Sequence, residues 1–135
     1  MSTHPRTAVW PSLIYRDADA AIRFLVDAFG FEEVAVYRND AHVVEHAELR
    51  WPEGGGVMLG TLRPDSGVGD LPPGVGAVYV VVGDPDTLYA RATSHGATIT
   101  RVMRDEDYGS RGFQARDPEG VIWSFGTYAG ADPAT

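Results

Sequence analysis

Imidazole and carboxylate side chains are concentrated in one stretch of this sequence, His42-Val43-Val44-Glu45-His46-Ala47-Glu48. Histidine and glutamate are among the side chains that bind divalent metal ions in proteins. An imidazole beside a carboxylate can also act as a general base. The stretch is therefore a candidate for a metal site or for acid–base chemistry, and the choice depends on the backbone that carries it.

A helix and a strand place these side chains differently. The H-x-x-E-H spacing from His42 to His46 matches the inverted zinc-protease signature, which needs both histidines on one face of a helix. The β-branched pair Val43-Val44, the Asn39-Asp40 turn before it and the glycine-rich turn after it favour a strand instead.

In a strand, His42, His46 and Glu48 lie on one face, with Ala47 and Leu49 on the other. If the apolar face packs against a helix, His46 and Glu48 face a cleft and form hydrogen bonds to a ligand. In the alternative, His42, His46 and Glu48 together form an offset metal site. A solvated edge of the sheet, without any ligand, is the third interpretation.

The elements that must position these residues repeat once along the chain. The first half predicts a strand over residues 9–16, a helix from Asp17 to Gly30 with an apolar stripe at Ile22, Leu25, Val26 and Phe29, and strands over 31–38, 42–51 and 57–62. The second half predicts a strand over 77–83, a helix from Asp84-Pro85 to Gly96, a strand over 97–103 and strands at Gly112–Arg116 and Val121–Phe125. The last two strands are joined by the tight turn Asp117-Pro118-Glu119-Gly120.

The repeat predicts an α+β fold of two tandem βαβββ modules, because Asp17 and Asp84 lie 67 residues apart, about half the chain length. Module one comprises residues 8–62 and module two residues 77–128, within a single domain over 1–135. Residues 63–76 are rich in glycine and proline and are predicted to be a linker or flap.

Composition argues against several classes of function. The formal net charge of −8 disfavours nucleic acid as a partner and favours cationic ligands. No apolar run approaches the roughly 20 residues that span a bilayer, and the first residues lack the apolar core of a signal peptide, so no membrane partner is expected. The absence of cysteine excludes disulfides and thiolate metal sites, and it fits a cytoplasmic protein.

The tandem modules and the Asp-Pro-x-Gly hairpin resemble the vicinal oxygen chelate superfamily, in its glyoxalase/bleomycin-resistance subgroup. Four phrases carry the resemblance over nearly the whole chain: YRDADAAIRFLVDAFGFEE, HAELRW, VMLG and YGSRGF-ARDPEGVIWSF. The resemblance implies a curved mixed sheet from each module, a cleft between the two modules, and a homodimer.

Enzymes of this superfamily hold one divalent metal ion with His, Gln and Glu at matching positions of the two units. The resemblance places ligand positions at Trp10 and Ala77 in the first strands, at Ser124 in the last hairpin, and at Leu59 or Gly60 in module one. None of these side chains binds a metal ion strongly. The departure indicates the metal-free branch of the superfamily, whose members bind a drug or metabolite and need no cofactor.

Alternation along the first and last strands also predicts which side chains face the core. It places Leu13 and Tyr15 there, together with Trp123 and Phe125 on either side of Ser124.

Further ligand-binding candidates follow from alternation along the strands and from the loop before the hairpin. Trp10 offers a stacking surface in the cleft or fills the core, and Tyr79 shares the face of Ala77. Tyr108 covers the cleft, and Arg111 binds an anionic group, pairs with an acid or anchors its loop.

The favoured interpretation is a metal-free protein of the bleomycin-resistance type that binds a small cationic or aromatic molecule. Its expected ligand-binding residues are Trp10, His46, Glu48, Tyr79, Tyr108, Arg111 and Ser124. The alternative is a divalent-metal-dependent lyase or dioxygenase of the glyoxalase type, with the metal on His42, His46 and Glu48. A third interpretation is a partner-binding module that takes no small ligand.

Overall fold

A computed structural model describes residues 7–64 and 71–131. Within these residues the strands are β1 (Ser12–Tyr15), β2 (Glu32–Arg38), β3 (Val44–Arg50), β4 (Gly56–Thr61), β5 (Ala77–Val81), β6 (Thr98–Asp105), β7 (Arg111–Arg116) and β8 (Ile122–Gly126). The helices are α1 (Ala18–Phe24), which continues into a π-helical turn at Leu25–Phe29, and α2 (Pro85–Ser94). Part of the predicted linker, residues 65–70, lies outside the described residues.

The strands form two four-stranded sheets, one from each half of the chain. Their strand orders are β1-β4-β3-β2 and β5-β8-β7-β6. In each sheet the first strand runs parallel to its neighbour, and the other neighbours are antiparallel. The predicted α+β fold of two βαβββ modules is therefore confirmed.

Both helices begin at the aspartates that the sequence indicates as caps. The side chain of Asp17 accepts a hydrogen bond from the Ala20 amide at 3.0 Å, and that of Asp84 accepts one from the Thr87 amide at 3.2 Å. These bonds satisfy amides that have no partner within the first turn. Pro85 occupies the first position of α2, where no amide hydrogen is needed.

The prediction of a regular α-helix up to Gly30 is wrong in the last turn, which is π-helical. The wider turn buries Leu25, Ala28 and Phe29, whereas Val26 of the predicted stripe is only half-buried. Gly30 ends the helix with φ of 92°, a left-handed conformation that glycine adopts without steric cost.

Each sheet has one buried face and one open face. In β1, Leu13 and Tyr15 are buried while Ser12 is exposed. In β8, Trp123 and Phe125 are fully buried while Ser124 between them is partly exposed. The predicted alternation is thus confirmed for both strands.

The buried faces of the two modules form one shared core. Phe29 packs on Phe125 with ring centroids 4.8 Å apart, and Phe31 packs on Trp123 at 5.5 Å. The indole nitrogen of Trp51 donates to the Val81 carbonyl at 2.9 Å. The two modules are therefore joined by aromatic packing in the interior.

Asp117 is a buried carboxylate that joins the last hairpin to module one. Its Oδ1 accepts hydrogen bonds from the amides of residues 119, 120 and 121, which closes the turn. Its Oδ2 accepts from the Tyr15 hydroxyl at 2.6 Å and from the Trp123 indole at 3.0 Å. The predicted turn is confirmed, and the same aspartate also links the modules.

Several strand boundaries differ from the predicted ones, and two of these differences have a visible cause. β1 begins at Ser12 instead of residue 9, because Pro11 has no amide hydrogen to donate to a neighbouring strand. Trp10 therefore lies before the strand. β6 continues to Asp105 into the predicted loop, because Arg104 and Asp105 pair with residues 112 and 111 of β7. Within the described ranges, no helix is long and apolar enough to cross a membrane.

Candidate functional site

The open face of module one carries His46 and Glu48, as the alternation in β3 predicts. His46 Nε2 lies 2.8 Å from Glu48 Oε2, and both side chains are partly exposed. The ring of Tyr37, the register partner of His46 on β2, stacks on the imidazole with centroids 6.0 Å apart. Ala47 and Leu49 are buried on the other face. The imidazole is thus held between a carboxylate and an aromatic ring.

His42 is not part of this group. It lies in the turn before β3, with φ of 65°, and its amide donates to the Asn39 carbonyl at 2.9 Å. A bulge at Glu45 also interrupts the alternation between Val44 and His46. Because β3 is a strand, the helix that an inverted zinc-protease motif requires is not formed.

Trp10 lies on the open face of module one, beside the start of β4. A Cβ atom added to Gly56 would come within 2.7 Å of its ring, so the indole packs directly over this glycine. The indole nitrogen donates to the Thr7 carbonyl at 3.1 Å. Trp10 is partly exposed and lies outside the hydrophobic core. Of the two alternatives predicted for this residue, a core position is therefore wrong, and its role in the cleft stays a prediction.

The open face of module two carries a group of three tyrosines. The Tyr79 hydroxyl donates to the Tyr128 carbonyl at 2.7 Å, and the rings of Tyr108 and Tyr128 meet edge to face at 5.8 Å. The Ser110 hydroxyl accepts from the Tyr128 amide at 3.2 Å. Partial burial raises the pKa of Tyr79 above its ordinary value. Tyr79 and Tyr108 are thus linked through Tyr128.

Arg111 pairs with acids, which is one of the alternatives that the sequence left open. Its guanidinium binds both carboxylate oxygens of Asp86, at 2.8 and 3.0 Å, and contacts Asp105 at 3.2 Å. The hydrogen bond from Arg111 lowers the pKa of Asp86. The side chain therefore anchors the end of β6 to α2 and lies away from the Tyr79 group.

The positions at which the resemblance places metal ligands are equivalent in the two sheets. Ser124 pairs with Tyr79 of β5, and Met58 pairs with Ser12 of β1, so Met58 is the module-one counterpart of Ser124. Of the predicted alternatives, Leu59 is buried in the core and Gly60 has no side chain.

The residues at these positions do not fit a divalent metal ion. Trp10 and Ala77 offer no donor atom, Met58 offers a thioether and Ser124 a neutral hydroxyl. Within residues 7–64 and 71–131, no three histidine, aspartate or glutamate side chains converge as a metal-binding group. His46 and Glu48 alone could supply two ligands.

A groove of about 320 Å³ lies where the modules meet, along the edge of β5. Its walls include Phe31, Trp51 and Tyr79, its rim includes Gly56 beneath Trp10, and Glu53 is its charged residue. This volume accommodates a small aromatic molecule. Among the residues predicted from the sequence, Tyr79 lines the groove directly and Trp10 contacts its rim.

Four residues of the site were missed by sequence reasoning. They are Glu53, Met58, Gln114 and Tyr128. The 67-residue repeat leads from Ser124 to Val57 instead of Met58, because module two has one residue fewer between these register partners than module one. The others had no signal in the sequence: Glu53 lies in a turn, Tyr128 follows the last strand, and Gln114 is one of several polar strand residues.

Comparisons with known proteins extend over nearly the whole chain. The family model described as Glyoxalase/Bleomycin resistance protein/Dioxygenase superfamily matches residues 7–125. An uncharacterised protein of Mycobacterium bovis is 32% identical over 132 residues, which cover 93% of this chain and 86% of the relative. An uncharacterised protein of Mycobacterium tuberculosis is also 32% identical, over 93% of this chain and 77% of the relative.

Solved structures show the same two-module architecture. TioX from Micromonospora sp. ML1 superposes with a TM-score of 0.75 at 30% identity, over 88% of this chain and 98% of TioX. A member of the same superfamily from Sphaerobacter thermophilus superposes with a TM-score of 0.67 at 22% identity, over 90% and 98% of the two chains.

Proposed function

The chain belongs to the Glyoxalase/Bleomycin resistance protein/Dioxygenase superfamily, and within it we propose that the protein binds a small aromatic, cationic molecule without a metal ion. The proposal rests on the residues found at the family's metal-ligand positions. In this chain they are Trp10, Met58, Ala77 and Ser124. These residues favour stacking and hydrogen bonding over coordination of a metal ion.

The groove between the modules supports an aromatic ligand. Tyr79 and Trp51 form its walls, and Trp10 covers Gly56 at its rim. Aromatic rings pack on one another with a preference for offset or edge-to-face geometry. A planar ligand in the groove therefore gains contact area with the three aromatic side chains that line it, Phe31, Trp51 and Tyr79.

Glu53 supports a cationic group on the ligand. It lines the groove, and its carboxylate accepts the Gly83 amide at 3.1 Å, which holds it in place. The net charge of −8 adds a long-range attraction for cations. A ligand with a protonated amine beside an aromatic ring satisfies both features.

The proposal includes a homodimer. β1 and β5 are both edge strands, and the apolar side chains of Val9, Leu71 and Val75 are exposed, Val9 by 84%. Exposed apolar groups beside edge strands are surfaces that a second copy of the chain can cover. Light scattering on the purified protein should give twice the monomer mass of 14.6 kDa.

The first test is metal analysis of protein prepared without chelators, with melting curves in Ni²⁺, Zn²⁺, Mn²⁺ and Fe²⁺. A metal ion that binds the folded state raises the melting temperature by mass action. We expect no stoichiometric metal and no shift. One equivalent of metal, removed by a chelator together with an activity, would refute the proposal.

The second test uses 1-naphthylmethylammonium and its neutral analogue 1-naphthylmethanol. We expect the cation to bind more tightly, and the difference to shrink in Glu53→Gln, which removes the charge but keeps an acceptor for the Gly83 amide. Quenching of tryptophan fluorescence reports binding, and Trp10→Phe shows how much of the signal comes from Trp10. Equal affinity of the two probes for the wild-type protein would contradict the cationic preference.

A second candidate function is a metal-dependent lyase or dioxygenase, which the His46–Glu48 pair favours. The 2.8 Å contact between them places two ligand types together on the open face. Under this alternative, His46→Ala abolishes metal uptake and activity. Under the binding proposal it leaves the metal content unchanged.

A further inference from the structure

A chain of three polar side chains crosses the open face of module two and ends beside Tyr79. The Thr100 hydroxyl donates to Gln114 Oε1 at 2.9 Å, and Gln114 Nε2 donates to the Ser124 hydroxyl oxygen at 3.1 Å. An amide accepts through its oxygen and donates through its nitrogen, so the chain has a direction. Ser124, having accepted a hydrogen bond, keeps its own proton for a further partner.

The register of β6 and β7 places Thr100 at the start of this chain. Ile99 pairs with the buried Ala115, so Thr100 follows on the open face, opposite Gln114. A bulge then sets Arg101 against Gln114 as well, so that two residues of β6 oppose one residue of β7.

From this geometry we infer that Gln114 fixes Ser124 as a hydrogen-bond donor to the ligand. The inference rests on the proposed function and specifies its ligand further: beside its aromatic ring, the ligand presents a hydrogen-bond acceptor such as a carbonyl oxygen or a ring nitrogen. Ser124 is the register partner of Tyr79, so a ring stacked on Tyr79 brings its acceptor atom to Ser124. Successive hydrogen bonds polarise one another, which strengthens the terminal donor.

Module one has no equivalent chain of hydrogen-bonded side chains. Glu48 is the counterpart of Gln114 in its sheet, and its register partner Met58 has a thioether instead of a hydroxyl. The Glu48 carboxylate contacts His46 at 2.8 Å. The two sheets therefore present different chemistry at equivalent positions, and module two is the one that selects for an acceptor.

The test uses Gln114→Glu, which changes the direction of the hydrogen bond between residue 114 and Ser124. A carboxylate only accepts, so Thr100 and Ser124 must both donate to it, and the Ser124 proton is no longer available to the ligand. The probes are isoquinoline, a bicycle with an acceptor nitrogen, and indole, a bicycle with a donor N–H, both neutral at pH 8. Binding is followed by amide chemical-shift changes at residues 79 and 124.

Wild-type protein should bind isoquinoline about fivefold more tightly than indole, as one hydrogen bond warrants. In Gln114→Glu the preference should vanish or reverse. Thr98→Glu adds the same charge at an exposed position two residues from Thr100 and should leave the preference intact. Thr100→Val, also at an exposed position, removes the first donor and should weaken the preference without changing the fold.

Two results would overturn the inference, and they are distinguishable. If both probes bind at the Tyr79 face but Gln114→Glu and Thr100→Val keep the wild-type preference, Gln114 does not set the polarity of Ser124 and the binding function stands. If neither probe perturbs this face in the wild-type protein, the inference fails together with the proposed aromatic site.

Discussion

Glu119 and Glu53 occupy equivalent turns of the two modules, and each carboxylate binds backbone amides of the opposite module. Glu119 accepts the amides of Arg16 and Asp17 at 2.6 and 2.8 Å, just after β1. Glu53 accepts the amide of Gly83 at 3.1 Å, just after β5. We call these two carboxylate–amide contacts clamps. They fix how the modules meet and therefore shape the groove between them.

The two clamps should differ in strength. Glu119→Ala removes hydrogen bonds to two amides, whereas Glu53→Ala removes longer ones to a single amide. Hydrogen bonds to charged groups contribute about 1.5–3 kcal/mol each when shielded from water. Because these bonds are solvent-exposed, we expect less: about 2 kcal/mol of unfolding free energy lost in Glu119→Ala and about half of that in Glu53→Ala. Urea denaturation measures both, and a larger loss in Glu53→Ala would contradict the ranking.

Asp117→Asn should destabilise the protein although the side chain keeps its size. An amide nitrogen in place of Oδ2 cannot accept from the Trp123 indole, which is fully buried. Leaving a buried donor unsatisfied costs about 1–3 kcal/mol. Thermal unfolding of Asp117→Asn beside Asp107→Asn, a substitution in an exposed turn, measures the difference. Equal melting temperatures would show that the buried carboxylate is not needed.

Because of Tyr15, we expect the folded protein to lose stability in alkaline solution. Burial and the neighbouring Asp117 carboxylate raise the pKa of its hydroxyl above the ordinary value of 10.0. Above about pH 10 the unfolded chain releases this proton while the folded chain retains it, so stability falls by up to about 1.4 kcal/mol per pH unit. All 11 basic residues are arginines, so no lysine titrates in this range.

Urea unfolding at several values between pH 9 and 11 tests this dependence, with Tyr15→Phe as the control. The pKa of Tyr79 is also raised, by burial, but its contribution is common to both proteins and cancels in the comparison. We expect the wild-type protein to lose stability more steeply than Tyr15→Phe. Parallel curves would mean that Tyr15 ionises equally well in the folded state.

The sequence predicted the features that depend on local pattern and on the repeat. Asp17 and Asp84 marked the helix starts, and the alternation around Ser124 placed Trp123 and Phe125 in the core. These predictions hold because caps and two-residue periodicity are local properties of the chain. The family resemblance supplied the assembly of each module's strands into one mixed sheet, which local pattern does not determine.

The features that sequence reasoning missed depend on strand register and on contacts between modules. The bulge at Glu45 leaves no compositional trace, yet it separates His42 from His46. The register that brings Thr100 to Gln114 is likewise not visible in the composition. The groove likewise forms only when the modules pack. Glu53, its charged residue, looks like an ordinary turn residue in the sequence.

Two glycines beneath aromatic rings allow stability and binding to be separated. A Cβ atom at Gly126 would meet only side-chain atoms, Tyr79 Oη at 2.8 Å and Ser110 Oγ at 3.1 Å. A Cβ atom at Gly56 would collide with the Leu49 carbonyl of the backbone as well as with the ring of Trp10. Flexible side chains can move aside, whereas backbone in a sheet cannot do so cheaply.

We therefore expect Gly126→Ala to displace Tyr79 and weaken binding of 1-naphthylmethylammonium severalfold, with a change in stability below about 1 kcal/mol. Gly56→Ala should lower stability by more, about 1–3 kcal/mol, because the strand itself must shift. Melting curves and fluorescence titrations on both variants measure the two effects. Unchanged affinity in a folded Gly126→Ala protein would show that the ligand does not contact Tyr79.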